Sequence, residues 1–431
     1  MIPILIQAGD GRRSVRVIDP RRSPRYPILI AVVAFLSFAL TIGITQYSFG
    51  VFVTELEGEF GWTRSEVSVA LSFFALSGAA ALPVGWALDR VGARPVMLAS
   101  LTALAASQLL RPFMSELWQF YALNALQFAA VPGAALITGA RIVGIWFEEN
   151  RGRAMGLTAM GANFGGIIFS SLTASLIGRL GWQGTYFVYG LLYASLLPVV
   201  FMVVRERPVE RRDEATGEMT GRPVLGGVTL RVALRSRVFY IVVVALLFAQ
   251  VTYQSVLPQL VPHLENVGIS RTQAAAALSG FAFFGMGGKV SFGWFCERYP
   301  ARFALIASLS CQVTGIAILL SAGASPWVWL FVPVFGLGFG ALGAIMPLLV
   351  QETFGLAAFG TIFGLINFLT LGAALVGPPL VGTSFDATGS YRTAFTVIAG
   401  LFVASAITIS FVRPLAGASR AAPVPRPVTE G

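Results

Sequence analysis

The chain has 431 residues, 56 % of them hydrophobic and only 12 % charged, about half the roughly 25 % charge of an ordinary soluble domain. So few charges cannot cover the surface of a water-soluble fold of this size, which excludes a soluble enzyme. The formal net charge of +10 is therefore tested first as a membrane-orientation signal, before any nucleic-acid reading.

A basic tail, 1–26, opens the chain with six Arg and does not read as a signal peptide. A bilayer core of about 30 Å needs roughly 20 apolar residues per helix. Twelve runs meet that need: 28–54, 65–88, 95–113, 117–146, 154–178, 184–204, 238–262, 272–294, 302–323, 326–351, 357–383 and 393–413. Short hydrophilic turns separate most of them. The exception is 205–237, a charged central segment with eight Arg. The chain ends in a tail, 414–431.

With the N-terminus placed in the cytoplasm, the inner segments hold 23 Arg and the outer loops five: Arg64, Arg111, Arg179, Arg271 and Arg392. The positive-inside rule then predicts both termini inside. The expected fold is an all-α integral membrane protein of twelve helices, multi-pass in a plasma membrane, bacterial by its Arg-, Ala- and Gly-rich composition. The positive charge reads as topology and as contact with membrane lipid headgroups; no nucleic-acid partner is expected. Two Cys, Cys296 and Cys311, and a single His exclude a disulfide scaffold and a His-cluster metal site. No Walker-type loop is found, and no cofactor is expected.

The two halves repeat one another. Thr63-Arg64-Ser65-Glu66 recurs as Ser270-Arg271-Thr272-Gln273, and Thr45-Gln46-Tyr47-Ser48 as Thr252-Tyr253-Gln254-Ser255. GWALDRVGARPVMLAS (85–100) matches GWFCERYPARFALIAS (293–308) at seven of sixteen positions, offset by 208. Three blocks in one order predict two six-helix bundles, 27–204 and 238–413, joined by the 205–237 linker. Parallel repeats of this kind characterise a class of secondary transporters with the substrate site between the halves.

The G-x-x-x-D-R-x-G-x-R turn from Gly85 to Arg94, and its second copy from Gly293 to Arg302 with Glu297 for Asp, resemble the loop between helices 2 and 3 of the major facilitator superfamily. Trp146-Phe147, Arg151, Ala154, Gly156-Leu157 and Gly161, with Gly377-Pro378-Pro379, Gly382 and Asp386-Ala387-Thr388-Gly389-Ser390-Tyr391, are similar to its monocarboxylate-transporter branch and oxalate/formate-antiporter-like relatives. The resemblance implies twelve helices in two pseudo-repeats and transport by alternating access. It also implies a substrate-pairing cation at position 289, which is Lys here. Two departures stand out: Gly285 occupies a position that is often acidic in the family, and the acidic-Gly-x-Trp signature entering helix 1 is absent.

Lys289, the only Lys, lies eight residues before Glu297, about 12 Å deep at 1.5 Å per residue. No Asp or Glu is predicted at that depth. A buried cation without an acid is a functional site by default, and an anionic substrate would supply the missing charge; the alternative is a snorkelling or neutral Lys. Arg141 is the second candidate, as a bidentate carboxylate clamp or, alternatively, as part of the cytoplasmic gate. Gln46, Tyr47, Tyr253 and Gln254 form a repeat-related polar pair facing the cavity, with helix-to-helix hydrogen bonding as the alternative. Asn163 and Asn367 are weaker pathway candidates. Asp89, Arg90, Arg94, Glu297 and Arg298 are read as gating latches. His263 reads as an interfacial His rather than a proton sensor, and Pro132, Pro258, Pro262, Pro347 and Pro378 as kink positions.

The expected function is secondary transport of a small organic anion, a monocarboxylate or a dicarboxylate such as oxalate, by exchange or with protons. Rivals are export of a drug-like or sugar solute, and a non-transporting receptor on the same scaffold. A membrane enzyme is not expected, because no catalytic cluster lies within the spans.

Overall fold

The computed structural model describes residues 26–147, 149–205, 225–256, 260, 263–265, 267–322 and 326–415. Residues 1–25, most of the central segment, the last residues of the chain, Pro258 and Pro262 lie outside the described residues. Helices follow one another as α1 (Tyr26–Ile42), α2 (Phe49–Phe60), α3 (Arg64–Ser72), α4 (Phe74–Val91), α5 (Ala93–Leu110), α6 (Leu117–Val131), α7 (Ile137–Trp146) and α8 (Arg151–Val203). The second half supplies α9 (Leu230–Arg235), α10 (Arg237–Ser255), α11 (Arg271–Arg298), α12 (Ala301–Ala322), α13 (Phe331–Phe354), α14 (Phe359–Thr388) and α15 (Arg392–Ser410). Among the described residues the only non-helical pairing is an isolated bridge between Gly227 and Gly355.

Eight helical spans among the described residues are long and apolar enough to cross a bilayer, and Arg237–Val251 and Phe359–Ala373 are shorter apolar helices. The 53-residue α8 contains a fold at Gly181, where φ is 69°, a left-handed value that glycine adopts without a side-chain clash. It therefore holds two of the runs predicted from sequence.

The repeat blocks are helix starts. Thr63 accepts a hydrogen bond from the Glu66 N–H, and Glu66 Oε2 accepts one from the Thr63 N–H at 2.8 Å. This capping box satisfies amides that the helix cannot pair itself. Its copy is Ser270, whose Oγ accepts from the Gln273 N–H. The first helix passes through a π-turn at Gly43–Tyr47, and α6 joins α7 through another at Pro132–Leu136. Pro132 has no N–H to donate, so the regular ladder is interrupted where the wider turn begins. Pro347 lies inside α13; Pro378 falls within α14, its side chain outside the described residues.

Each half packs mainly on itself, α1 and α5 on α8, and α12 and α11 on α13. Glycines set these distances. A Cβ on Gly165 would collide with the Ala39 carbonyl, and one on Gly340 with the Gly285 carbonyl. With little hydrophobic drive between helices in lipid, such close backbone packing carries the association.

Arg111, expected in an outer loop, is instead buried at 2 % exposure. Its Nη2 donates to Asn124 Oδ1 and Gln127 Oε1, both at 3.0 Å, and its guanidinium lies 4.8 Å from the Tyr186 ring centroid. Position in the chain placed it at a helix end; polar partners on α6 and an aromatic face on α8 draw it inside.

Several contacts gather helix ends at one face. The Tyr26 hydroxyl donates to the Val203 carbonyl, Trp146 Nε1 to the Arg205 carbonyl, and the Leu415 N–H to the Thr353 carbonyl. Gly226 and Val228, at the end of the central segment, pair with Leu356 and Phe354. This is the linker face.

Candidate functional site

Lys289 lies on α11 at 7 % exposure, and its Nζ donates a hydrogen bond to Asn163 Oδ1 on α8. The other end of the same amide, Asn163 Nδ2, donates to the Ala282 carbonyl at 3.0 Å. Asn163 thus ties the two halves together and gives the ammonium a neutral acceptor. Gly343 makes room for the Lys stem, since a Cβ there would stand 3.4 Å from Lys289 Cε. Among the described residues no carboxylate forms an ion pair with Lys289. Burying an uncompensated cation costs several kcal/mol, and a neutral amide recovers only part of that.

The remaining predicted polar groups do not converge on this point. Gln46 and Tyr47 sit in the first π-turn. The Tyr47 ring is 44 % exposed and packs against Gly166 of α8. Tyr253 and Gln254 belong to α10, but their side chains lie outside the described residues. Asn367 turns back on its own helix, donating to the Phe363 carbonyl at 2.8 Å. Sequence reasoning passed over Gln250, which donates to Thr370 Oγ1 at 2.7 Å between α10 and α14; a lone Gln in an apolar run was the available signal.

A second polar assembly closes the linker face. Asp89 accepts from the Gly360 N–H at 2.9 Å, and from the Thr361 N–H and hydroxyl, each at 2.6 Å. These donors open α14, so the carboxylate also meets the positive end of a helix dipole. Arg141 Nη1 pairs with the same carboxylate at 2.6 Å. The expected carboxylate clamp is therefore already occupied in this conformation, which favours the gate alternative for Arg141. Gln351 Nε2 adds a crossing bond to the Ala140 carbonyl at 2.8 Å.

The repeat generates the mirror arrangement. Glu297, 208 residues after Asp89, accepts from the Arg153 N–H at 2.9 Å and pairs with its side chain at 2.8 Å. Sequence reasoning passed over Arg153; it lies 208 positions before Thr361, a relation that points to it only once Asp89 is seen to bond Thr361. Beneath these carboxylates the backbones touch. A Cβ on Gly85 would collide with the Gly360 carbonyl, and one on Gly152 with the Gly293 carbonyl.

Arg90, Arg94 and Arg298 do not join this assembly. Arg90 stacks on Trp86, Arg298 on Trp294 and Arg94 on Phe201. Of the five residues expected as latches, the two acids cross between the halves, whereas these three cations stack on rings of their own half. His263 is buried among protein side chains, edge-on to Phe395 with centroids 5.1 Å apart, and burial pulls its pKa below the ordinary 6.5. A crevice of about 360 Å³ between α8, α11 and α13 is lined by both signs of charge, Glu149, Glu297 and Glu352 with Arg151 and Arg298.

Residues 29–378 match the family model described as Major Facilitator Superfamily. The chain belongs to the Major Facilitator Superfamily. Among curated relatives of this superfamily member, bovine monocarboxylate transporter 13 is 27 % identical over 381 residues, covering 87 % of this chain and 86 % of that protein. The uncharacterized MFS-type transporter YcxA of Bacillus subtilis strain 168 is 24 % identical over 385 residues, covering 86 % and 91 %. Among solved structures, the E. coli fucose:proton symporter FucP superposes with a TM-score of 0.70 at 16 % identity, covering 90 % of this chain and 100 % of that one. At that identity the likeness concerns the fold. The superfamily membership and the apolar helices make this a multi-pass membrane transporter.

Proposed function

We propose that this transporter moves a small organic anion, a monocarboxylate or small dicarboxylate, by alternating access between two six-helix bundles, 27–204 and 238–413. The reading takes twelve spans with both termini and the linker face in the cytoplasm of a plasma membrane. The carrying observation is Lys289: a buried cation at the contact between the halves, held by the neutral oxygen of Asn163. A substrate carboxylate is a better acceptor than an amide, because it brings a full negative charge to the ammonium and adds Coulombic attraction to the hydrogen bond. It would take the ammonium from Asn163 and so loosen the tie between α8 and α11. Monocarboxylate transporters among the relatives support the substrate class. Drive comes from exchange for a second anion or from protons.

Counterflow in proteoliposomes with a panel of labelled carboxylates tests this. Wild-type protein is expected to exchange at least one of them, and Lys289→Gln to abolish that exchange. Uptake of neutral solutes alone, or anion exchange indifferent to the substitution, overturns the reading. Flux with and without an imposed pH gradient separates symport from exchange.

A further inference from the structure

The cations that leave the gate form a repeated motif of their own. Trp86 and Arg90 on α4 recur 208 residues later as Trp294 and Arg298 on α11. In both copies the guanidinium carbon lies 4.3 Å from the indole centroid. Both indoles are exposed, at 51 % and 45 %, and neither Arg forms an ion pair among the described residues. A second cation follows in each copy. Arg94, at the start of α5, lies 4.8 Å from the Phe201 ring and donates to the Phe201 carbonyl at 3.5 Å. Arg302, at the start of α12, lies 4.7 Å from the Phe303 ring and donates to the Val412 carbonyl at 2.6 Å. The acids beside them in sequence, Asp89 and Glu297, bond to the opposite half.

Each half therefore carries, at the linker-face end of its helices, an exposed indole and two guanidiniums held against rings. A cation over a ring face is held in place by the ring quadrupole, and its Nη groups not bonded to a carbonyl stay able to donate, whereas Arg302 Nε is buried and Arg302 stands near the Glu352 carboxylate. The planar guanidinium fork matches phosphate oxygens, while exposed indoles are characteristic of the boundary between headgroup and acyl chain. We propose that Trp86 with Arg90 and Arg94, and Trp294 with Arg298 and Arg302, are two repeat-related sites for the phosphodiester headgroup of an anionic phospholipid. The indole lies along the upper acyl chain and the guanidiniums take the phosphate. The sites rest on membrane insertion alone and stand whatever the transported solute.

The test uses the full chain, delipidated in detergent and offered phosphatidylglycerol and phosphatidylcholine together, with retained lipid read by native mass spectrometry. Phosphatidylglycerol is expected to be retained in preference, and R90Q/R298Q to weaken its binding about fivefold for each site. R231Q/R235Q removes the same charge from exposed positions on α9 and is expected to have a far smaller effect. Equal retention of both lipids, no loss in R90Q/R298Q, an equal loss in R231Q/R235Q, or full displacement of the lipid by inorganic phosphate each overturns the proposal. If R90Q/R298Q does not fold, R90K/R298K keeps the charge, gives up the planar fork, and is expected to lower retention in the same direction; unchanged retention there overturns it.

Discussion

Asp89 accepts the backbone N–H of Thr361 at 2.6 Å across the contact between the two halves, and Glu297 accepts that of Arg153 at 2.9 Å in the repeat-related position. The two latches are unequal. Asp89 also holds a buried cation, with side-chain exposures of 13 % for Asp89 and 4 % for Arg141, whereas the Arg153 side chain is 51 % exposed. Solvent screens the second ion pair, and exposed pairs contribute only about 0–1 kcal/mol.

Asp89→Asn is therefore expected to open the linker face far more than Glu297→Gln. It removes the counter-charge of a buried Arg, a change that costs about 3–5 kcal/mol. Spin-label distances across the linker face should lengthen in Asp89→Asn and stay near wild type in Glu297→Gln.

Gly360→Ala should have the same direction for a steric reason. The new Cβ would run into the Gly85 carbonyl, which is backbone and cannot swing aside. Thiol labelling of a Cys placed at the linker face is expected to quicken, and transport to fall. Gly178→Ala is the comparison, because nothing stands within 4 Å of its Cβ.

Gly285→Asp probes the cation. A Cβ at 285 would meet Asn163 Nδ2 at an ordinary 3.5 Å, so the backbone there accepts a side chain, and it lies one helical turn from Lys289. The introduced carboxylate is expected to take the ammonium and exclude an anionic substrate. A charge-assisted hydrogen bond contributes about 1.5–3 kcal/mol, so affinity for the transported anion should drop about tenfold or more. Counterflow with increasing substrate reads this directly.

Arg111→Met is expected to lower thermal stability without changing which solutes are carried. It strips Asn124 Oδ1 of its donor, while Gln127 Oε1 keeps the Gln108 Nε2 donor at 2.7 Å, and a buried acceptor left without a partner costs about 1–3 kcal/mol. Thermal unfolding in detergent and the counterflow panel together distinguish this from a substrate-binding role.

Much of this molecule is written locally. Hydropathy marks the apolar helices, the Thr63 and Ser270 caps fix two of their starts, and the repeat offset foretells that Glu297 will do what Asp89 does. Depth along a helix is also local, since rise per residue is constant, and that singled out Lys289 as a buried cation. Partnership is not local. Whether Arg141 meets a substrate or Asp89, whether Arg111 lies outside or within, and whether Arg90 faces the gate or a lipid depend on helix rotation and on how closely two backbones approach. Glycines such as Gly85, Gly152, Gly293 and Gly360 decide that approach, and their effect exists only when segments some 140 to 275 residues apart are packed together. The sequence by itself thus determined a membrane chain with one deep Lys. Only the tertiary structure decided that this Lys rests on Asn163 while Arg141 pairs with Asp89 and Arg111 with Asn124 and Gln127, because a side chain's neighbours are set by packing and not by its place in the chain.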